Sequence, residues 1–284
     1  MSKFRLALDE IDKVDLLKDN AAEVIHNIIA TKFKNLPIFG VDLTVNNPLV
    51  RSRYLGDKTD FHYDIQDYSY HPKPNDVKIG RANLPEQQIF YGSRYRETSL
   101  AEIRFLNAFR EKKFARYSLG RWEVKQKLYL GAIVTPEIIR NNDAKELFGL
   151  ADYIEKTEAD LKNNKEIGDF LEVYKYFAKK YIEQIHKGEE HKYKITAVFS
   201  NFVYSKLYFP NGNITDGILY QSVQYPKHFN VALKKDVVDQ NKIQLTFAAR
   251  QNYIKTGNTE YKEETSIDAV KIDYSTNKII WHSH

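Results

Sequence analysis

Arg81, Tyr91 and Glu102 fall within one short stretch, Ile79 to Phe105, reading IGRANLPEQQIFYGSRYRETSLAEIRF. A guanidinium makes bidentate, charge-assisted bonds to phosphate oxygens. An aromatic ring packs on a base or a sugar, and a carboxylate accepts from ribose hydroxyls. Together the three types suit a phosphorylated, sugar-bearing ligand. Gly80-Arg81 sits in a polar turn, and a short strand, Gln88 to Gly92, carries Ile89, Phe90 and Tyr91. A loop with Ser93, Arg94, Arg96 and Glu97 follows. A helix capped by Thr98 or Ser99 then places Leu100, Ile103 and Leu106 at helical spacing and runs to about Lys112. Turn, strand and helix in succession are expected to be neighbours in space.

Two more cations precede this stretch. In Leu49 to Leu55 (LVRSRYL), Arg51 and Arg53 alternate, so a strand there puts both on one face. The pair reads either as a solvated edge strand or as an anion clamp beside Arg81. Residues 56–78 are long, polar and rich in Tyr, Asp, His and Pro, the composition of a lid or binding loop. His62 and His71 lack the support of a metal site, and none is expected.

Composition narrows the classes. The 284 residues are 42% hydrophobic and 13% aromatic, enough for a substantial core in one elaborated domain or two. With no cysteine, a disulfide framework, a thiolate nucleophile and a Cys-based zinc site are excluded. No long apolar run or signal-type apolar core is visible, so the chain reads as soluble and cytoplasmic, without membrane contact. The 43 basic and 38 acidic residues leave a net charge of +5, compatible with an anionic ligand but too mild to imply direct nucleic-acid binding.

The remaining chain supplies scaffold. Residues 1–12 read as short and charged. Asp15 to Phe33 has helical periodicity, and Val41 to Val45 reads as a short strand. Strands are expected within Arg116 to Val134, where Leu128, Leu130, Ala132 and Val134 alternate. Residues 137–190 are charged and helical, with one apolar stripe from Ile167 through Phe170, Tyr174, Phe177 and Tyr181 to Ile185. A further helix fits Tyr193 to Leu207, and Asn211-Gly212-Asn213 makes a turn. Ile214 to Leu233 contains two apolar runs joined by a loop holding Ser222 and Pro226. Tail strands fit Ile243–Ala249 and Ala269–Trp281, with His282-Ser283-His284 an exposed end. Phosphate-binding loops, Gly-x-Gly-x-x-Gly, His-Glu-x-x-His and Gly-x-Ser-x-Gly are all absent from the sequence. A ribonuclease built from the eight His stays open, although none lies in the Ile79–Phe105 stretch.

Three blocks resemble a known family. Gly80-Arg81-Ala82-Asn83, Ile89-Phe90-Tyr91 and Thr98-Ser99-Leu100-Ala101-Glu102 resemble the opening of the RES domain. Asp216-Gly217-Ile218-Leu219-Tyr220-Gln221-Ser222 resembles its late block, and Phe229 to Leu233 the strand after it. The resemblance spans about residues 49–240. It implies an α+β fold related to ADP-ribosyltransferases, a split mixed β core flanked by helices. Residues 1–48 would be an N-terminal helical extension, 49–284 the catalytic domain, and 137–190 a helical insertion. The resemblance also implies a bacterial toxin that destroys NAD by hydrolysis or phosphorolysis, with NAD as substrate and no cofactor. Its protein antitoxin would carry a helix-turn-helix DNA-binding domain. Catalytic roles would fall to Arg81, Tyr91, Glu102 and Ser222, and substrate contacts to Arg51, Arg53, Asn83, Tyr220 and Asn230. On that reading Arg81 meets the pyrophosphate, Tyr91 packs on nicotinamide or ribose, and Glu102 stabilises the oxocarbenium-like state. Ser222 positions substrate, because no His base accompanies it in sequence. An ADP-ribosyltransferase acting on a macromolecule and a non-catalytic nucleotide-binding protein are the alternatives.

Overall fold

The computed structural model describes residues 3–56, 62–103, 114–161, 170–206, 212–257 and 261–282. The expected continuation of the helix through Leu106 to Lys112 lies outside these residues, as do Ile167, Leu207, Asn211, Ser283 and His284. In chain order the helices are α1 (Lys3–Asp12), α2 (Ala21–Lys32), α3 (Arg96–Glu102), α4 (Pro136–Arg140), α5 (Phe148–Leu161), α6 (Phe170–Ile182), α7 (Tyr193–Tyr204) and α8 (Lys235–Asp239). The strands are β1 (Gly40–Leu43), β2 (Pro48–Gly56), β3 (Ile89–Ser93), β4 (Phe114–Val124), β5 (Leu128–Ile133), β6 (Gly217–Gln221), β7 (Phe229–Lys234), β8 (Ile243–Lys255), β9 (Tyr261–Asp268), β10 (Lys271–Asp273) and β11 (Lys278–Ile280). The α+β class with a mixed β core and flanking helices is as expected. The chain forms two compact units, one of Met1–Leu43, Lys73–Ile89 and Leu128–Lys234, the other of Thr44–Pro72, Phe90–Lys127 and Lys235–His284.

In the first unit β1, β5, β6 and β7 lie side by side; β5 and β6 are parallel and the other pairs antiparallel. A parallel pair needs a long crossover, and the helical stretch from α4 to α7 supplies it. The apolar stripe is where periodicity put it: Phe170, Leu171, Tyr174, Phe177, Ala178 and Tyr181 of α6 are buried. Phe177 stacks on Phe199 of α7 with centroids 3.5 Å apart. Gly131 of β5 is required for close packing, since a Cβ there would meet Val203 of α7 at 2.4 Å. The first helix corrects the reading of residues 1–12 as merely charged: Phe4, Ala7, Leu8 and Ile11 form its buried face. Asp15–Asn20 precede the second helix as turns rather than opening it.

In the second unit β3, β2, β4, β8 and β9 pair antiparallel. Strand β2 is therefore bonded on both sides, which corrects its reading as an edge. The lid reading of residues 56–78 is also corrected on its described residues up to Pro72. Ile65–Tyr68 is a 3-10 turn, and Ile65, Tyr68, Ser69 and Tyr70 are buried. Tyr68 and Tyr70, which made this segment look polar, are core residues, whereas Tyr63 is exposed. Burial pushes the phenol of Tyr68 well above its ordinary pKa, and the nearby Asp67 carboxylate adds to the shift.

Candidate functional site

The nine named residues divide between the two units. In the first unit, the Gly80-Arg81 turn closes by a bond from Gly80 N to the Asn83 carbonyl at 3.0 Å. Asn83 is buried, and its Nδ2 donates to the carbonyls of Lys78 and Leu84, each at 2.8 Å. The Tyr204 hydroxyl of α7 donates to the Ala82 carbonyl at 3.1 Å. Gln87 and Asn201 exchange amide bonds at 2.8 and 2.9 Å.

So held, Arg81 reaches the C-terminal end of α6. Its guanidinium donates to the Tyr181 carbonyl, to Lys180 at 3.4 Å and to Glu183 at 3.1 Å. It also lies 5.3 Å from the centroid of the Tyr193 ring. The last carbonyls of a helix have no partner within it, and a cation there also complements the helix dipole. The group expected to meet a pyrophosphate thus donates to backbone carbonyls in this structure.

Arg81 leads onward to the late block. The Tyr181 ring packs against that of Tyr220 on β6, centroids 5.2 Å apart, and its hydroxyl bonds the Thr196 carbonyl and Ser200. Tyr220 sits opposite Asn230 in the β6–β7 register, and both are buried. Ser222, fully buried, follows the end of β6. Its N–H donates to the His228 carbonyl at 2.9 Å, and its Oγ accepts from Tyr225 N at 3.1 Å. That hydroxyl-to-backbone turn fixes the loop between β6 and β7. Structure therefore brings Arg81, Tyr220 and Asn230 together through Tyr181, a residue the sequence offered only as part of an apolar stripe.

In the second unit Arg51 and Arg53 share one face of β2, as alternation requires. Arg51 donates from Nε to the Ser69 carbonyl at 3.0 Å and from Nη1 to the Tyr91 carbonyl at 2.7 Å, with its guanidinium 5.5 Å from the Phe90 centroid. Arg53 donates to the same Ser69 carbonyl. Burial pulls the Arg53 pKa down, and the Asp67 carboxylate partly opposes this. Both arginines serve the backbone in this structure, holding the 62–72 segment and β3 against β2.

The opposite face of β2 receives α3, whose Ser99 hydroxyl donates to Ser52 at 3.0 Å. Neither Thr98 nor Ser99 caps this helix. It begins at Arg96 after Tyr95, and both hydroxyl residues are buried within it. Arg96 anchors the start by pairing with Glu263 of β9 and donating to the Tyr253 hydroxyl at 2.5 Å. Glu102 is the last residue of α3 and, like Tyr91 on β3, is half-buried. By sequence Arg96 belongs to a loop; its partner Glu263 lies far along the chain, so sequence carries no signal of the anchor.

The model of the RES domain matches residues 49–253, most of the chain. The chain belongs to the RES domain family. All nine named residues lie inside the matched span, whereas α1, α2 and β1 precede it. No curated protein matches the chain. Membership is consistent with an NAD-related toxin–antitoxin module. Among the described residues no helix is long and apolar enough to cross a membrane.

Proposed function

We propose that this RES domain protein is an enzyme that breaks the nicotinamide–ribose bond of NAD, and that a cognate antitoxin neutralises it. The observation that carries the reading is the family match over residues 49–253, which takes in the Arg81, Tyr91, Glu102 and Ser222 blocks in order. In the proposed step the bond from ribose C1′ to the nicotinamide nitrogen breaks, and nicotinamide leaves neutral with the electron pair. The ribosyl carbon, oxocarbenium-like, is captured by water, which loses a proton, or by phosphate. The negative charge of Glu102 stabilises the developing positive charge, the service a fixed group provides best. Tyr91 packs against nicotinamide or ribose, and Ser222 orients substrate.

Arg81 has two tasks on this reading. It holds the end of α6, and it meets the pyrophosphate by exchanging carbonyl partners for phosphate oxygens. Arg51, Arg53, Asn83, Tyr220 and Asn230 supply the substrate contacts. The antitoxin is proposed to carry a helix-turn-helix domain and to reside with this protein in the cytoplasm.

Incubating purified protein with NAD and reading products by mass tests the proposal. Free ADP-ribose means hydrolysis, and ADP-ribose 1″-phosphate means phosphorolysis. A modified macromolecule would replace the reading with transfer, and unchanged NAD would overturn it. Co-expression with the product of the neighbouring gene should give a stable complex and restore growth. Failure of both removes the toxin assignment.

A further inference from the structure

Strands β10 and β11 lie past the end of the matched span. They pair antiparallel, Lys271 opposite Ile280 and Asp273 opposite Lys278. Asp273 Oδ1 shapes the turn between them, accepting from Ser275 N at 3.0 Å and from Ser275 Oγ at 2.6 Å. Asn277 completes it with the positive φ of 57° that an Asn tolerates. A hairpin this short is marginal alone. Strand β8 anchors it: the Ala269 N–H donates to the Ala248 carbonyl at 2.8 Å and the Tyr274 hydroxyl to the Leu245 carbonyl at 3.2 Å, and Ile279 is buried.

The outer edge of β11 grips the segment that starts at His62. The Ile279 N–H donates to the Tyr63 carbonyl at 2.7 Å, and the Ile65 N–H to the Asn277 carbonyl at 3.3 Å. The Trp281 indole N–H donates to the His62 carbonyl at 3.1 Å, and Lys278 Nζ lies 2.6 Å from Asp64 Oδ1. Short-range bonds carry this hold along the segment. Asp64 N donates to Asp67 Oδ2 at 3.2 Å, and Ser69 N to the Gln66 carbonyl at 3.0 Å. The segment thereby delivers one carbonyl, that of Ser69, to the guanidinium groups of both Arg51 and Arg53. Arg51 also holds the Tyr91 carbonyl. Hairpin, segment, both arginines and Tyr91 belong to one unit.

We infer that the β10–β11 hairpin is a brace that positions Arg51 and Arg53, with Lys278 and Trp281 as positioning residues acting through the Ser69 carbonyl. The substrate half of this inference rests on the proposed contacts of Arg51 and Arg53 with NAD; the brace itself does not. A guanidinium makes directional bonds from a planar fork, so displacing the one carbonyl that both arginines share re-aims both. The two halves have separate readouts. The Arg51 Nε–H, bonded to the Ser69 carbonyl, reports the brace through its rate of exchange with solvent, and NAD kinetics report its consequence.

The test combines Lys278→Ala with Trp281→Phe in the full chain. The chain has two tryptophans, so the remaining indole, buried Trp122, reports that the unit is folded. With the Arg51 signal assigned by its loss in Arg51→Lys, Nε–H exchange should quicken about fivefold, the scale of one hydrogen bond and one exposed ion pair. The NAD KM should rise about fivefold with kcat unchanged, since the lost contacts serve binding. A hairpin that only stabilised the fold would instead lower the active fraction at unchanged KM. In an Arg51→Ala, Arg53→Ala background the hairpin substitutions should add nothing to KM. If the double variant disturbs the Trp122 signal, Lys278→Ala alone, at an exposed position, carries the same test with an expected change of about twofold. Unchanged Arg51 exchange overturns the brace. Faster exchange with an unchanged KM, or a KM that rises equally without the two arginines, overturns its role toward substrate. If the wild type leaves NAD unchanged, the proposed function falls while Arg51 exchange still decides the brace.

Discussion

The Gly80–Asn83 turn and the Arg96–Glu102 helix carry the two charges on which the proposed chemistry rests, and they are built in opposite ways. At the turn the functional side chain supports the scaffold: Arg81 caps α6 through the carbonyls of Tyr181 and Glu183. At the helix the scaffold supports the functional side chain. Ser99 and Arg96 tie α3 to β2 and β9, and Glu102 stands at its last residue. A guanidinium fork fits carbonyl oxygens as readily as phosphate oxygens, so residue type does not say which one it serves. A carboxylate at a helix end meets unpaired carbonyls that already concentrate negative potential, so the helix dipole does not favour it there.

The sharpest way to break this contrast is Glu102→Gln. It keeps size and most hydrogen bonding but removes the charge. NAD turnover should fall by roughly a hundredfold or more, as when one electrostatic stabiliser is lost, while NAD affinity stays nearly unchanged. Single-turnover rates and calorimetric NAD binding measure the two. Full activity would take α3 out of the reaction.

Arg81→Ala should behave differently. It removes a charged cap from several carbonyls, so unfolding free energy should drop by about 1–3 kcal/mol, and NAD affinity should weaken with it. Arg81→Lys should recover the charge–dipole part, about 0.3–1 kcal/mol, but not the fork. If affinity is lost with no change in stability, the guanidinium serves ligand and not helix, and the contrast collapses.

Ser222→Ala sharpens the comparison within the first unit. The hydroxyl accepts from Tyr225 N, so the variant should lose about 0.5–1.5 kcal/mol and turn over more slowly. Mass spectrometry of the wild type during turnover should show no adduct on Ser222; finding one would make it a nucleophile.

Local periodicity made much of this legible. Alternation located β5, and the three-to-four spacing located the buried faces of α6 and α7. The family blocks were legible as motifs. Partners distant in sequence were not. Nothing near Arg81 announces that it will meet the end of a helix roughly a hundred residues on. The Phe4, Ala7, Leu8, Ile11 spacing of α1 was available and was masked by its charged neighbours. Strand β9, YKEETSID, is too polar for alternation to mark; β8 defines it by pairing. In residues 62–72 Tyr68 and Tyr70 counted as polar by composition and turned out to be core.

The smallest expected effect concerns the anchor of α3. Arg96 and Glu263 are 40% and 34% exposed, so water and salt screen the pair. A double-mutant cycle with Arg96→Ala and Glu263→Ala should give a coupling of only about 0.2–1 kcal/mol, reduced further in high salt. The sign of its pH dependence follows from Arg96. Burial lowers that pKa, but bonds to Tyr253 and Glu263 outweigh it and the net shift is upward. A raised folded pKa stabilises fully below the unfolded value and is lost only as pH rises through the folded one. Both values lie above the alkaline range in which the protein would be handled, so Arg96 should leave the coupling flat from pH 7 to 9. Turnover should respond more than stability, because releasing Arg96 loosens the helix that ends in Glu102. If the cycle gives no coupling and turnover in Arg96→Ala matches wild type, α3 is held by Ser99 and its buried Leu100 alone, and the anchor is incidental to the position of Glu102.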